Sequence, residues 1–119
     1  MARRKSAASE AFAEIALLVR EGEWTTYGDV SRVYRGDGLA ARAVGRAAAT
    51  MPGFRNAHRL LYGGGRIPPD WRASDGKGSE ECRQRLVREG VAFTRNGNAH
   101  QAHYVSAEEL VARYRSRLA

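Results

Sequence analysis

The stretch TTYGDVSRVYRGDGLAARAVGRAAATMPG, residues 25–53, decides the fold. Thr25 or Thr26 stands where a helix N-cap belongs, because a threonine hydroxyl accepts from the free N–H groups of a first turn. A short helix is predicted from there to about Tyr34. Arg35-Gly36-Asp37-Gly38 then breaks the chain. A further helix is predicted over 39–51, stopped by Pro52-Gly53. Helix, four-residue turn, helix is the outline of a helix-turn-helix, whose second helix usually enters a DNA groove.

That second helix has little side-chain bulk beyond Arg42 and Arg46, which stand at i and i+4 and so share a face. Ala43 and Gly45 between them keep the surface slim, and Gly45 costs roughly 1 kcal/mol of helix propensity relative to alanine. One reading is a tight core of small residues beside two solvated arginines. The other is a slim helix that enters a groove and pushes an arginine into the base stack.

Outward from this unit, residues 1–5 read as a basic arm. A helix is expected over 6–20, with Phe12, Ile15, Ala16 and Val19 on one face, Ser9 as its cap and Gly22 as its stop. After Pro52, residues 58–62 and 66–67 flank Gly63-Gly64-Gly65 as a hairpin or wing. Residues 68–78 form a loop, and Ser79 is expected to cap a fourth helix that Gly90 ends. Residues 91–93 and 102–105 read as strands around the turn Asn96-Gly97-Asn98. Ser106 with Glu109 makes a capping box for a last helix to about Leu118. Leu110, Val111 and Tyr114 share one side of it, for packing on the core or, alternatively, for a partner.

The 119 residues suit one domain, 1–119, and carry a net charge of +7 with 18 Arg against 2 Lys. Coding bias can produce the arginine preference, but the excess charge points first to a polyanion, with nucleic acid ahead of lipid. No apolar run reaches the ~20 residues a membrane span needs. The one cysteine, Cys82, fits a reducing compartment, and its place in the first turn of a helix would lower its pKa. His100 and His103 form a His-x-x-His pair without a third ligand, so no metal and no cofactor is expected.

Several blocks occur in a telling order: Thr25-Thr26-Tyr27-Gly28-Asp29-Val30, Ala41-Arg42-Ala43-Val44-Gly45-Arg46-Ala47, His58-Arg59-Leu60, and Gln84-Arg85-Leu86 with Glu89-Gly90-Val91. In order and approximate spacing they resemble the DNA-binding domain of the O6-alkylguanine-DNA alkyltransferases over residues 8–93, leaving 94–119 as a C-terminal hairpin and helix. The resemblance implies a mainly α, winged helix-turn-helix-like alkyltransferase domain with small β-hairpins. It also implies minor-groove binding, with the damaged guanine flipped out, Arg42 filling the vacated stack and Tyr27 turning the phosphate. Flipping costs a few kcal/mol, which an inserted side chain partly offsets. Thr26, Ala43, Gly45 and Arg46 complete that surface, with Arg20, Arg32 and Arg35 as further phosphate contacts.

In the repair enzymes the reactive tetrapeptide is Pro-Cys-His-Arg; the matching residues here are Asn56-Ala57-His58-Arg59. Alanine cannot accept an alkyl group, since nucleophilic catalysis needs a thiolate or its equivalent. His58 and Glu89 match the residues that activate the thiol but have nothing to activate. The pattern is similar to that of the alkyltransferase-like proteins, which lack the cysteine. The expectation is a non-enzymatic sensor that binds alkylated double-stranded DNA and flags O6-alkylguanine for nucleotide excision repair proteins. Its lesion pocket would comprise Asn56, Ala57, His58, Arg59 and Glu89, the segment 62–65, and Trp71 and Arg72 from a lid over 67–74. It is expected to be a cytoplasmic, nucleoid-associated monomer without membrane contact.

Asn56 in place of the family's proline offers a donor and an acceptor at the pocket rim. That leaves open a reader of another modified base, in a restriction or regulatory system. An enzyme built on His58 and Glu89 lacks a nucleophile and a metal set.

Overall fold

The computed structural model describes residues 6–118; the basic arm over 1–5 lies outside the described residues. Helix α1, Ala7–Ala16, is capped by Ser6, whose hydroxyl accepts from the Ser9 backbone N–H, so the cap falls three residues before the serine expected. It buries Phe12, Ile15 and Ala16. Regular α-helix ends at Ala16, and residues 17–19 continue in tighter turns bonded from Leu18 to Ile15 and from Val19 to Ala16. The end carbonyls that a helix leaves unpaired are taken by side chains: Asn56 Nδ2 donates to Ala16 O, Arg59 Nη1 to Val19 O and Arg113 Nη1 to Leu18 O.

Helix α2, Tyr27–Arg35, starts on Thr26, whose hydroxyl accepts from Asp29 N at 2.9 Å. It ends on Gly36 in the left-handed region, φ 91°, a conformation open to glycine at little cost. Helix α3, Ala41–Thr50, follows the Gly-Asp-Gly bend and buries Val44, Ala47 and Ala48. Helices α1, α2 and α3 pack on one another, and their buried residues join Trp24, Leu60, Leu61 and Leu86 in the principal core.

The expected hairpin around Gly63–Gly65 is not formed. Strand β2, Leu60–Leu61, pairs instead in parallel with β1, Thr25–Thr26, placing Thr25 opposite Leu60 and Thr26 opposite Leu61. Both leucines are fully buried, so they gain more inside the core than they would on an exposed ribbon. Gly65 is required where it stands: its φ is 84° and any Cβ would collide with the Ala99 carbonyl.

Helix α4, Ser79–Arg88, begins with Ser79 already inside its first turn and Gly78 at the cap position, with no side-chain cap. Gly90, at φ 94°, closes it in the Schellman manner, with Gly90 N–H donating to Val87 O and Val91 N–H to Leu86 O. The expected strand over 102–105 is also absent. Phe93 bridges Ala99 across the 94–98 turn, whereas Tyr104 bridges Trp24 in parallel. Helix α5, Ala107–Leu118, packs on α2. Ser106 accepts from Glu109 N, but the Glu109 carboxylate pairs with Arg113 instead of reaching back, so only half of the capping box is made. Among the described residues no helix is long and apolar enough to cross a membrane.

Candidate nucleic-acid interface

The N-terminal half of α2, the face of α3 bearing Arg42 and Arg46, and the loop after β2 enclose an open cleft of about 700 Å³. Thr26, Tyr27, Arg42, Gly45, Arg46, Trp71 and Arg72 all line it, with Arg32, Tyr62 and Gly63, so ten residues singled out in the sequence converge on one place. Arg42, Arg46 and Arg72 are exposed and form no ion pair among the described residues. Arg32 adds a fourth cation, held by Asp29 at 3.3 Å with half of its side chain still in solvent. Unpaired guanidinium groups around a concave surface attract phosphate and match it in shape.

Aromatic rings form the inner wall. Tyr27 meets Tyr62 edge to face, with ring centroids 6.0 Å apart. Burial raises the Tyr27 phenol above its ordinary value, with smaller contributions in the same direction from Cys82, Tyr62 and Asp70. It therefore stays a neutral hydroxyl. Gly45 faces the Tyr27 ring, yet a methyl group there would meet it at 3.7 Å, an ordinary contact. Of α3, Val44, Ala47 and Ala48 are buried in the core, while Arg42, Gly45 and Arg46 line the cleft.

Tyr104 and Asp29 also line the cleft and were not singled out from the sequence. Asp29 is buried and is the hub of the local network. Its Oδ2 accepts from Thr26 Oγ1 and Tyr104 Oη, both at 2.6 Å, and its Oδ1 accepts from Ala107 N at 3.2 Å. Burial and the Asp29 carboxylate push the Tyr104 phenol up to about 12. The Thr26-x-x-Asp29 spacing was the visible sign of this hub, but nothing local to Tyr104 marks its partner 75 residues away.

The remaining pocket candidates sit behind the wall. Asn56 is 2% exposed and caps α1, so it offers nothing to a pocket rim, and its Oδ1 has no partner among the described residues. Ala57 is buried, and its carbonyl lies 3.4 Å from the Trp71 indole nitrogen. Ala43 is exposed on α3 but does not line the cleft.

His58, Arg59 and Glu89 form one cluster, with His58 buried and the other two partly so. Glu89 accepts from His58 Nε2 at 2.7 Å, from Arg59 Nε and Nη2 at 3.0 and 2.8 Å, and from Gly22 N at 3.2 Å. Burial works to raise its carboxyl, but the hydrogen bonds from Arg59 and His58 prevail and hold it at about 2. Burial lowers His58 despite the carboxylate. The Glu89 charge is already met by Arg59, and a protonated ring would leave a second N–H buried at Nδ1, which has no partner. His58 is therefore neutral, donating through Nε2. Cys82, expected to have a lowered pKa, is fully buried and pushed up to about 12 by that burial, so it is an inert thiol. Among the described residues no three potential metal ligands come together.

The chain is a helix-turn-helix braced by α1, with a short parallel strand pair and a loop closing the cleft, and it shares this fold with a solved structure. Among solved structures the chain matches the crystal structure of S. pombe Atl1 in complex with damaged DNA containing O6-carboxymethylguanine. The TM-score is 0.66 at 22% identity, covering 87% of this chain and 99% of that one. No protein-family model matches the sequence, and no curated protein does.

Proposed function

We propose that the protein is a non-enzymatic reader of alkylated DNA, which flips O6-alkylguanine out of the duplex from the minor-groove side. The observation that carries this reading is the cleft itself, with unpaired arginines outside and aromatic rings within, set on the helix-turn-helix. Arg42 fills the vacated stack, Tyr27 as a neutral hydroxyl bonds the phosphate of the flipped nucleotide, and Trp71 and Arg72 meet the base. Ala57 stands where a repair enzyme would carry its alkyl-accepting cysteine, so the lesion is held and not repaired. The bound complex flags the site for nucleotide excision repair. The S. pombe protein's complex with damaged DNA containing O6-carboxymethylguanine supports the choice of ligand.

The test is anisotropy binding to two duplexes that differ only by O6-methylguanine in place of guanine. At least a tenfold preference for the lesion, about 1.4 kcal/mol, is expected. Equal binding would reject this ligand and turn the same cleft toward another modified base. That alternative has lost one support, because Asn56 caps α1 and does not shape the rim.

A further inference from the structure

A second concavity, about 820 Å³, lies between the C-terminal part of α1, the end of α2 and the outer turns of α5, and it shares no lining residue with the cleft. Its origin is visible in α5. Ala107, Leu110, Val111, Tyr114 and Leu118 recur at helical spacing and form one apolar stripe. The body of the protein covers only its first part: Ala107 and Leu110 are buried, whereas Tyr114 is 47% and Leu118 70% exposed. Leu17 and Tyr34 face the same space, so four of the seven large exposed hydrophobics among the described residues line this one groove. Tyr34 is braced from behind, its ring edge-on to the buried Phe12 at 4.9 Å. Single exposed apolar side chains mean little, but a rimmed cluster marks a surface that binds something.

The charge on the rim selects the occupant. Arg115 and Arg117 line the groove without ion-pair partners among the described residues, against one carboxylate, Glu14. A second copy of this chain, itself carrying +7, would bring like charge to that rim. We propose that the groove docks an amphipathic helical segment of another protein, with apolar anchors at i, i+3 or i+4 and i+7 flanked by acidic residues. Such a helix completes the packing that α1, α2 and α5 leave open, in the helix-in-groove manner, and its carboxylates pair with Arg115 and Arg117. Because the groove and the cleft share no residues, the partner can be held while the cleft is occupied. The proposal goes beyond the DNA reading and does not depend on it.

The probe is a fluorescein-labelled helical peptide with leucines at those spacings and glutamates beside them, compared with the same peptide carrying lysine for every glutamate. Anisotropy titration should show saturable binding of the glutamate peptide, at least about tenfold tighter than that of the lysine peptide. The double variant Tyr114→Ser/Leu118→Ser, altered only at exposed positions, should lose about tenfold or more while its duplex binding is unchanged. Arg115→Glu/Arg117→Glu should reverse the preference between the two peptides. Binding of the glutamate peptide should survive Arg42→Ala/Arg46→Ala, which separates the groove from a polyanion effect at the cleft. No saturable binding, equal binding of the two peptides, or loss only with the Arg42/Arg46 pair would overturn the proposal. A dimer in sedimentation equilibrium that Tyr114→Ser/Leu118→Ser dissolves would also overturn it, giving the groove to a second copy.

Discussion

Replacing Glu89 with glutamine keeps the shape of the side chain and removes the charge that joins three segments. Glu89 ties the end of α4 to the Gly22 turn after α1 and to His58 and Arg59 ahead of β2. Its carboxyl is held at about 2 against an ordinary 4.5, which at about 1.4 kcal/mol per pH unit gives about 3 kcal/mol of stabilisation at neutral pH. The side chain is 11% exposed, and allowing for solvent screening we take about 2 kcal/mol as the expected loss for Glu89→Gln at pH 7. The sign follows from the lowered pKa. This stability is fully present above the ordinary value near 4.5 and is lost as pH falls toward 2. The gap between wild type and variant should therefore narrow to below about half its size near pH 3. Urea unfolding at pH 7, 5 and 3 measures it, read by the fluorescence of Trp24 and Trp71, both buried. A gap at pH 7 under about 0.5 kcal/mol, within ordinary surface-substitution scatter, would refute the reasoning. So would a gap that stays constant down to pH 3.

Arg42→Ala should weaken binding to an adduct-bearing duplex by about 1–3 kcal/mol, the value of one intimate DNA contact; unchanged affinity in the anisotropy assay would remove Arg42 from the base stack. If Arg32, Arg42, Arg46 and Arg72 all meet phosphate or stacked bases, log affinity against log salt should have a slope of about −3 to −4, and a flat response would exclude DNA as the ligand. Gly65→Ala should lower stability by more than about 2 kcal/mol, since strain at positive φ adds to the collision with the Ala99 carbonyl. Thermal unfolding close to that of wild type would show that the 62–66 turn can move away.

Several signals with a partner within one turn survived into the structure. Thr26 caps α2, Gly36 ends it in the left-handed region, and Gly90 closes α4, each through a bond to a near neighbour. Arg42 and Arg46 share a face because helix geometry alone puts them there. The expected caps at Ser9 and Ser79 fall instead at Ser6 and Gly78, and several features set by a distant partner went unread. Strands β1 and β2 have two residues each, too few for alternation to show, and they are fixed by two leucines entering the core. Asn56 and Arg59 looked like site residues because of their neighbours in the chain. Their hydrogen bonds instead run to the carbonyls of Ala16 and Val19, about 40 residues earlier. Tyr104 had no local signal, because its meaning is the single hydroxyl bond to Asp29.

That bond has a consequence in time. Asp29 precedes two of its partners, the Tyr104 hydroxyl and the Ala107 backbone N–H, by 75 and 78 residues. A ribosome delivering the chain from its N-terminus exposes the helix-turn-helix well before the residues that steady its central carboxylate. Until they arrive, Asp29 is a charge without its full set of donors and the cleft is missing one aromatic wall. A nascent chain that has not yet reached Tyr104 and Ala107 thus carries the arginines of the surface without the finished cavity they surround.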